Sequence, residues 1–418
     1  MDDGWERSRA DEEPGRSGAR LDRGRSAVHL DRGRSAVRLD PERSREHLDR
    51  GLPGVPGDGW AVEALDLLLR RVGETAEQVG ARFPLYADPA DGRWTSTGRG
   101  SWTGGFWVGL LWLRARHTGD DGHRSAAAAA TAGLAPWTDA DTATRGLILW
   151  YGTALATGDE AAAVLRERAA RAALAAWEPT LGLVPWGAAL GGPRLRARAD
   201  GVPGLVPLLA SAGPEGRAAA TAHLRRHLEL CLPGEGSRRP RPSWRRNEEN
   251  DWEPEPEPAP GWTRGEAWLL LAVADGLLLG ETPTPSGGAE PLTDAAELLL
   301  ARCGFLTGPL VPPAETRHPD GPRDTSAAAI AAVALLKLAR VPGVPSASAC
   351  AARAVAVLHR LTDAHLTRPG GPRPVGMLLD GCYDAPGGTA VRHELVWGDF
   401  FLALGLSALL GRVDLGHV

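Results

Sequence analysis

From about residue 60 onwards, apolar side chains recur every three or four positions, which is the period of an amphipathic helix. Alternation of apolar and polar residues, the period of a strand, is not convincing anywhere. The pattern predicts twelve helices, near residues 60–80, 104–117, 122–133, 145–157, 160–176, 202–213, 215–231, 264–280, 291–303, 325–340, 346–361 and 398–411. It therefore predicts an all-α protein without a long sheet.

The segments between these helices alternate in length. Short links follow residues 117, 157, 213, 280 and 340, whereas long Gly- and Pro-rich loops precede residues 104, 202, 264, 325 and 398. A short link joins two antiparallel helices into a hairpin. Twelve helices arranged as six hairpins, with short and long ends segregated, predict a closed (α/α)6 toroid, and an open solenoid of hairpins is the alternative. Function is expected at the long-loop end, since loops on a rigid scaffold carry functional residues.

Residues 1–55 differ from the rest of the chain. A nine-residue unit beginning at Leu21 returns at Leu30, and the segment is rich in Arg, Asp, Gly and Ser and poor in aromatic residues. Such a composition buries too little apolar surface to order a chain. The sequence therefore predicts a disordered tail over 1–55, or a short partner-binding arm, followed by the barrel over 56–418.

Composition limits the other classes of function. The chain has 418 residues, 43% of them hydrophobic, and a net charge of −5 without a sustained basic patch, which argues against nucleic acid as a partner. No run of about 18 apolar residues predicts a membrane span, and no apolar leader resembles a signal peptide. Scattered cysteines predict free thiols in a reducing compartment, the spacing of the histidines predicts no metal site, and no cofactor is expected. The oligomeric state stays open.

Six unusual segments fall where a helix follows a loop. They are SWTGGFWVG at 101–109, TATRGLILW at 142–150, RADGVPGLVPLL at 198–209, GWTRGEAW at 261–268, PRDTSAAAIAA at 322–332 and LVWGDFF at 395–401. In a toroid these helices form the inner ring, and their N-termini point into one cup. Helix N-termini suit an anion, tryptophans suit a sugar face, Arg264 suits a carboxylate, and Asp200 suits acid–base chemistry. An acidic sugar uses all four.

Structural interpretations compete with these functional ones. Asp200 also fits a helix N-cap, and so do Asp324 and Asp399. Trp268, inside a predicted helix, fits the core as well as a ligand platform. The run EPEPEPAP at 253–260 predicts an extended linker.

The residues resemble a known family. WTGGFWVGLLWLRARHTGD, DGVPGLVPLL, WTRGEAW, PRDTSAAAIAA and WGDFF follow the order and separation of motifs in the unsaturated glucuronyl hydrolases, glycoside hydrolase family 88, over about 85–418. The unsaturated rhamnogalacturonyl hydrolases of family 105 match less well. The resemblance implies a cytoplasmic, metal-free (α/α)6 enzyme that acts on small acidic oligosaccharides with a C4–C5 double bond in the terminal uronic acid. An aspartate protonates the vinyl ether, water adds at C5, and the hemiketal opens so that the glycosidic link breaks.

The resemblance also implies roles for individual residues. Asp200 matches the acid/base aspartate of the family. Trp102 and Trp186 match its sugar-stacking tryptophans, and Arg264 and Trp268 match residues near the substrate.

Three family features differ in this chain. Thr144 replaces a second important aspartate, a His-Gln-Gly motif before the arginine motif is missing, and Glu266 replaces a glutamine. Thr144 is kept as a substrate-binding candidate. Two main hypotheses follow: a hydrolase that hydrates unsaturated uronyl oligosaccharides, or a catalytically impaired or repurposed carbohydrate-binding relative. A toroid glycosidase or epimerase of another specificity is a third.

Overall fold

The computed structural model describes residues 59–232, 239–280 and 292–418, so the predicted tail over 1–55 lies outside the described residues. The described helices are α1 Gly59–Val79, α2 Gly104–Thr118, α3 Asp121–Ala132, α4 Glu160–Ala175, α5 Leu205–Ala210, α6 Pro214–Cys231, α7 Thr263–Leu279, α8 Leu292–Cys303, α9 Thr325–Leu338, α10 Ala347–Ala364 and α11 Val396–Leu409. A π-helical turn covers Gly146–Trp150. Eleven of the twelve predicted helices form in the predicted order, and the segment 145–157 is the exception.

The helices form two concentric rings. The inner ring runs α2, the π-helical turn, α5, α7, α9 and α11, each in contact with the next, and α11 returns to contact α2. The outer helices pack against them, as α3 does against α2 and α10 against α9. The ring is closed, which confirms the (α/α)6 toroid and rules out the open solenoid.

Burial follows the two rings. All the residues of α9, sequence TSAAAIAAVALLKL, are buried, as expected for a helix that is apolar all round. In contrast, α3 buries only Ala127 and Thr131. The inner helix is thus buried on all sides, whereas the outer helix buries a single stripe.

Two small antiparallel sheets were not predicted. The strands are β1 Phe83–Ala87, β2 Trp94–Thr97, β3 Arg196–Arg198, β4 Ser243–Arg246, β5 Trp252–Pro254, β6 Gly381–Asp384 and β7 Thr389–Leu395. One sheet has the order β2-β1-β7-β6 and the other β3-β4-β5. All lie in the long loops. Strand β5 includes Glu253 and Pro254, the first two residues of the predicted EPEPEPAP linker, and pairs with β4, so the linker prediction is wrong for these two residues. The next residue, Glu255, accepts hydrogen bonds from Arg196 and Ser243.

Glycines bring the inner ring together where a regular helix was predicted over 145–157. A Cβ on Gly146 would lie 2.0 Å from the backbone nitrogen of Leu205, and one on Gly105 would lie 2.2 Å from the carbonyl oxygen of Leu147. The backbones of three neighbouring inner elements therefore touch directly at these glycines. Only the single π-helical turn forms in this segment.

We expect Gly146→Ala to destabilise the protein by about 1–3 kcal/mol, the usual cost of forcing a methyl group into a packed interior. Without a clash, alanine would stabilise a helix by about 1 kcal/mol relative to glycine. The sign of the change in the free energy of unfolding therefore separates helix propensity from the steric clash. Urea unfolding followed by circular dichroism measures the change. Gly59→Ala is the matched control, because a Cβ at Gly59 meets nothing within 4 Å. A variant at Gly146 as stable as the control would contradict the close approach.

Three general features complete the fold. Within the described ranges, no helix is long and apolar enough to cross a membrane. The four cysteines are free thiols, three of them buried and Cys303 partly exposed. The described part of the chain holds no group of three or more His, Cys, Asp or Glu residues placed to bind a metal ion.

Candidate active site

Asp200 lies in the short 3-10 turn Ala199–Gly201 that leads from β3 towards α5. Its two carboxylate oxygens each accept a hydrogen bond from Arg198, at 3.0 Å from Nε and 3.1 Å from Nη2. The side chains of Arg198 and Asp200 keep 20% and 18% of their surface exposed. Helix α5 has Gly204 at its N-cap and no side-chain cap. Asp200 is therefore no helix cap but a carboxylate held by a guanidinium at the edge of solvent.

The sheet of the long loops positions Arg198. Strand β3 pairs with β4, and the backbone nitrogen of Ala199 donates to the carbonyl of Pro242 at 2.8 Å. The guanidinium lies over the ring of Trp186, 4.8 Å from its centroid. Burial alone would lower the pKa of Arg198, but the charge and hydrogen bonds of Asp200 outweigh burial and raise the pKa. Arg198 is thus a fixed cation whose place is set by a strand and an indole.

Trp102 and Trp186 are both buried, each with 8% of its surface exposed. The indole nitrogen of Trp102 donates to the hydroxyl of Tyr383 at 3.4 Å, and its ring lies 4.8 Å from that of Trp397. Tyr383 is also close enough to Arg198 to contribute to the raised pKa of that arginine. The two predicted tryptophans and Asp200 are therefore brought together, with Arg198 and Tyr383 as members that the sequence did not indicate.

Arg264 binds a carboxylate, as predicted, but the carboxylate belongs to Asp324. Its Nη1 donates to Asp324 Oδ2 at 3.1 Å and to the carbonyl of Cys382 at 2.5 Å, and Nη2 donates to the carbonyl of Tyr383 at 2.7 Å. Only 4% of Arg264 is exposed. This corrects the expectation of a direct substrate contact: Arg264 joins α7 to the start of α9 and to β6, and it is a positioning residue.

The predicted cap at Asp324 is confirmed. Its Oδ1 accepts from the backbone nitrogens of Ser326 and Ala327 at 3.0 and 3.3 Å, which satisfies two free donors at the start of α9. Asp399 differs, since Leu395 is the N-cap of α11 and the buried Asp399 lies beside Glu394. Desolvation and the charge of Glu394 raise the pKa of Asp399 well above its usual range.

Trp268 belongs to the core below the cup. Its ring is stacked on Phe106 with centroids 6.1 Å apart and an interplanar angle of 14°, and 1% of its surface is exposed. The structural interpretation of Trp268 therefore replaces its expected place near the substrate. Trp262, which is half-buried, has the guanidinium of Arg264 5.3 Å from its ring centroid. A Cβ on Gly265 would lie 2.3 Å from the Trp262 ring, so the glycine makes room for this indole.

Thr144 is buried and forms a pair with Thr142. Their hydroxyl oxygens are 2.8 Å apart, and the backbone nitrogen of Thr144 donates to Thr142 Oγ1 at 3.1 Å. Next to it, Arg145 is 3% exposed and its Nε and Nη1 have no hydrogen-bond partner among the described residues. Burial lowers the pKa of Arg145. This segment thus holds two paired hydroxyls and a cation with incomplete hydrogen bonding among the described residues.

Glu266 is neutralised by a cation from a loop. Both of its carboxylate oxygens accept from Arg239 Nη1, at 3.0 and 2.9 Å, and 3% of the residue is exposed. Burial raises the pKa of Glu266 to about 7, and Arg239 opposes this rise. The negative charge of Glu266 is therefore compensated within the protein.

The raised pKa of Glu266 makes stability depend on pH. Because its folded pKa, about 7, exceeds the ordinary 4.5, the folded state binds more protons between these values and loses stability as pH rises through that window. We expect Glu266→Gln to lose this dependence and to gain stability relative to the parent protein from pH 4.5 to 7. Thermal unfolding across pH 4–8 tests it, with Glu249→Gln, an exposed site, as control. Parallel profiles for Glu266→Gln and the parent would contradict it.

Comparison with known proteins extends this description. No protein-family model and no curated protein matches the sequence. The solved unsaturated glucuronyl hydrolase from Bacillus sp. GL1 matches with a TM-score of 0.71 and 24% identity, over 84% of this chain and 96% of that one. An unsaturated glucuronyl hydrolase specific for heparin matches with a TM-score of 0.73 and 21% identity, over 86% of this chain and 100% of that one.

A third match carries a ligand. A variant of the unsaturated glucuronyl hydrolase from Streptococcus agalactiae, complexed with dGlcA-GalNAc6S, matches with a TM-score of 0.62 and 18% identity, over 86% of this chain and 94% of that one. In all three cases the likeness spans the toroid. This chain has the fold of the unsaturated glucuronyl hydrolases.

Proposed function

We propose that this protein is a divergent glycoside hydrolase of the unsaturated glucuronyl hydrolase family. The observation that carries the proposal is Asp200, a carboxylate held by two nitrogens of Arg198, whose guanidinium lies over the ring of Trp186 in the long-loop region. The fold supports it, since the likeness to solved unsaturated glucuronyl hydrolases spans most of this chain. The substrate class is a lyase-derived oligosaccharide with a terminal C4–C5 unsaturated uronic acid.

Asp200 acts as the acid/base group in this mechanism. A carboxylate oxygen has two lone pairs, so each oxygen that accepts from Arg198 keeps capacity for a second partner. The carboxylic acid form gives a proton to C4 of the vinyl ether, and the resulting carboxylate takes a proton from the water that adds at C5. The hemiketal then opens to a ketone and releases the neighbouring sugar. Arg198 holds the carboxylate in one orientation throughout.

The sugar and its carboxylate need separate binding groups. Trp102 and Trp186 offer ring faces for the apolar side of a sugar. Arg264 is occupied by Asp324 and is 4% exposed, and Arg145 is 3% exposed, so neither arginine is assigned to the uronate carboxylate. A Streptococcus agalactiae relative in complex with dGlcA-GalNAc6S supports an acidic oligosaccharide as the substrate class.

Turnover in deuterated water tests the reaction. The full-length protein is incubated with a panel of unsaturated uronyl disaccharides, and loss of the ultraviolet absorbance of the conjugated double bond is followed. Hydration predicts that the released product carries deuterium at C4, because the proton delivered there comes from solvent. Direct attack at the glycosidic bond also ends with deuterium at C4, because the freed unsaturated uronic acid opens to an enol that takes its proton from solvent, but it releases the neighbouring sugar before the absorbance falls. Hydration instead requires the absorbance to fall before or together with sugar release. Absorbance loss without sugar release also counts against the proposal.

The paired hydroxyls of Thr142 and Thr144 favour a second function, carbohydrate binding without turnover. A threonine hydroxyl donates and accepts hydrogen bonds but does not take up or release a proton near neutral pH, so it does not replace a second acid/base group. Titration of the same disaccharides against tryptophan fluorescence separates the two functions. Saturable quenching with no absorbance loss on any substrate identifies the binding relative.

A further inference from the structure

A cavity of about 570 Å³ lies at the opposite end of the inner helices from Asp200. Its walls come from the ends of α2 and α11, the start of α3 and the link that contains Thr157. We call it the turn-face cavity, since it opens among the short links. Much of its lining is apolar and buried, including Leu65, Trp112, Leu113 and Val413. The volume falls within the roughly 300–1,000 Å³ of small-molecule sites.

Three exposed arginines, Arg116, Arg124 and Arg412, line this cavity. Their hydrogen-bond acceptors within the described ranges are neutral. Arg116 donates to Thr157 Oγ1 at 2.9 Å and to the carbonyl of Arg412 at 3.4 Å. Arg124 has no side-chain hydrogen bond or ion pair with the described residues. Three full positive charges therefore face one concave surface without a carboxylate in direct contact.

His117 fixes Arg412 without cancelling its charge. Nη1 of Arg412 lies 2.6 Å from His117 Nδ1, and His117 Nε2 lies 3.0 Å from Asp66 Oδ1. A guanidinium only donates, so Nδ1 accepts and the Nε2 proton points to Asp66. The imidazole is then neutral, and Asp66 reaches Arg412 only through it. The arginine is positioned but keeps a guanidinium edge for another acceptor.

The geometry points to a ligand for the turn-face cavity: a small organic anion. Like charges around a low-dielectric wall repel one another, and a bound anion relieves that repulsion. Guanidinium groups match the oxygens of phosphate, sulfate or carboxylate with paired hydrogen bonds. We propose that one such oxyanion group binds Arg116, Arg124 and Arg412 while an apolar body lies against Trp112. This site is separate from the cup and does not depend on the proposed function.

Isothermal titration of the full-length protein at low ionic strength tests the site. Phenyl phosphate is the probe. Inorganic phosphate and phenol are the control ligands, since they represent its anionic group and its aromatic group separately. We expect one molecule of phenyl phosphate to bind per chain, more tightly than either half. Arg124→Gln is the first variant, because Arg124 makes no described side-chain contact that folding needs, and it should weaken binding about tenfold. Arg360→Gln, an exposed arginine outside the cavity, should leave binding unchanged.

Clear outcomes overturn the proposal. The first is a titration in which phenyl phosphate gives no saturable heat of binding. The second is an unchanged affinity for phenyl phosphate in a variant that carries both Arg124→Gln and Arg412→Gln. Arg198→Gln separates the cavity from the cup: loss of phenyl phosphate binding in that variant would place the anion beside Asp200 and sink the turn-face site. Benzoate and phenyl sulfate, run in parallel, rank the three oxyanions and identify which chemistry the arginines prefer.

Discussion

Asp200→Asn is expected to reduce turnover of unsaturated uronyl disaccharides by about 10²–10⁴-fold, the usual contribution of a positioned acid/base group. Asparagine keeps the shape of the side chain and still accepts one hydrogen bond from Arg198, but its amide neither gives a proton to C4 nor takes one from water. Initial rates of absorbance loss measure the effect at saturating substrate. Substrate binding, followed by tryptophan fluorescence, should change little.

Matched variants separate chemistry from folding. Asp251→Asn makes the same chemical change at an exposed position and should keep full activity. Arg198→Lys keeps the positive charge but replaces the two-pronged contact by a single ammonium, so the rate should fall while Asp200 remains. A parent-like rate in Asp200→Asn, with the fold intact by circular dichroism, would remove Asp200 from the mechanism. The site would then have to use another acid, and hydration with Asp200 as the acid/base group would be wrong.

The helical framework was accessible from sequence because its signals are local and long. Amphipathic segments of ten or more residues, short Gly-containing links and capping residues such as Asp324 each act within a few positions of themselves. The strands were not accessible, because β3 and β5 have three residues each, too few to show a period of two. Their pairing also joins separate loops, as β1 and β7 do across most of the chain.

The chemistry of the site was predicted for Asp200, Trp102 and Trp186 but not for their partners. Arg198 is only two positions from Asp200, and a strand followed by a tight turn brings both side chains to one point. The proximity of Arg198 to Asp200 is therefore visible in the sequence itself. The partner of Arg264 was out of reach, since Asp324 is 60 positions away and competes with any ligand for the guanidinium. A sequence motif shows which residue types lie near one another. The hydrogen bonds within the protein show which of those residues can still bind a substrate.

Lys337→Met is expected to destabilise the protein by about 3–5 kcal/mol, the cost of leaving one partner of a buried ion pair alone. Lys337 is the single lysine of the chain. Its Nζ donates to Asp275 Oδ1 at 2.5 Å and to the carbonyl of Val418, and the two side chains are 2% and 4% exposed. Burial raises the pKa of Asp275, and Lys337 opposes that rise. Without the lysine, α7 and α9 enclose an uncompensated carboxylate.

The pH dependence and a double variant identify the cause of this loss. Because the unpaired Asp275 has a folded pKa above its unfolded value, the destabilisation should shrink as pH falls and the carboxyl becomes neutral. Lys337→Met combined with Asp275→Leu removes both charges and should recover most of the stability, since apolar replacements of a buried pair are often neutral. As a control, Arg340→Met breaks the exposed Arg340–Asp414 ion pair and should lower the free energy of unfolding by about 0–1 kcal/mol. Urea unfolding of the parent protein, Lys337→Met, Asp275→Leu and the double variant measures the coupling between Lys337 and Asp275. If the double variant were as unstable as Lys337→Met, the loss would come from packing at Lys337, and the ion pair would not be the link between α7 and α9.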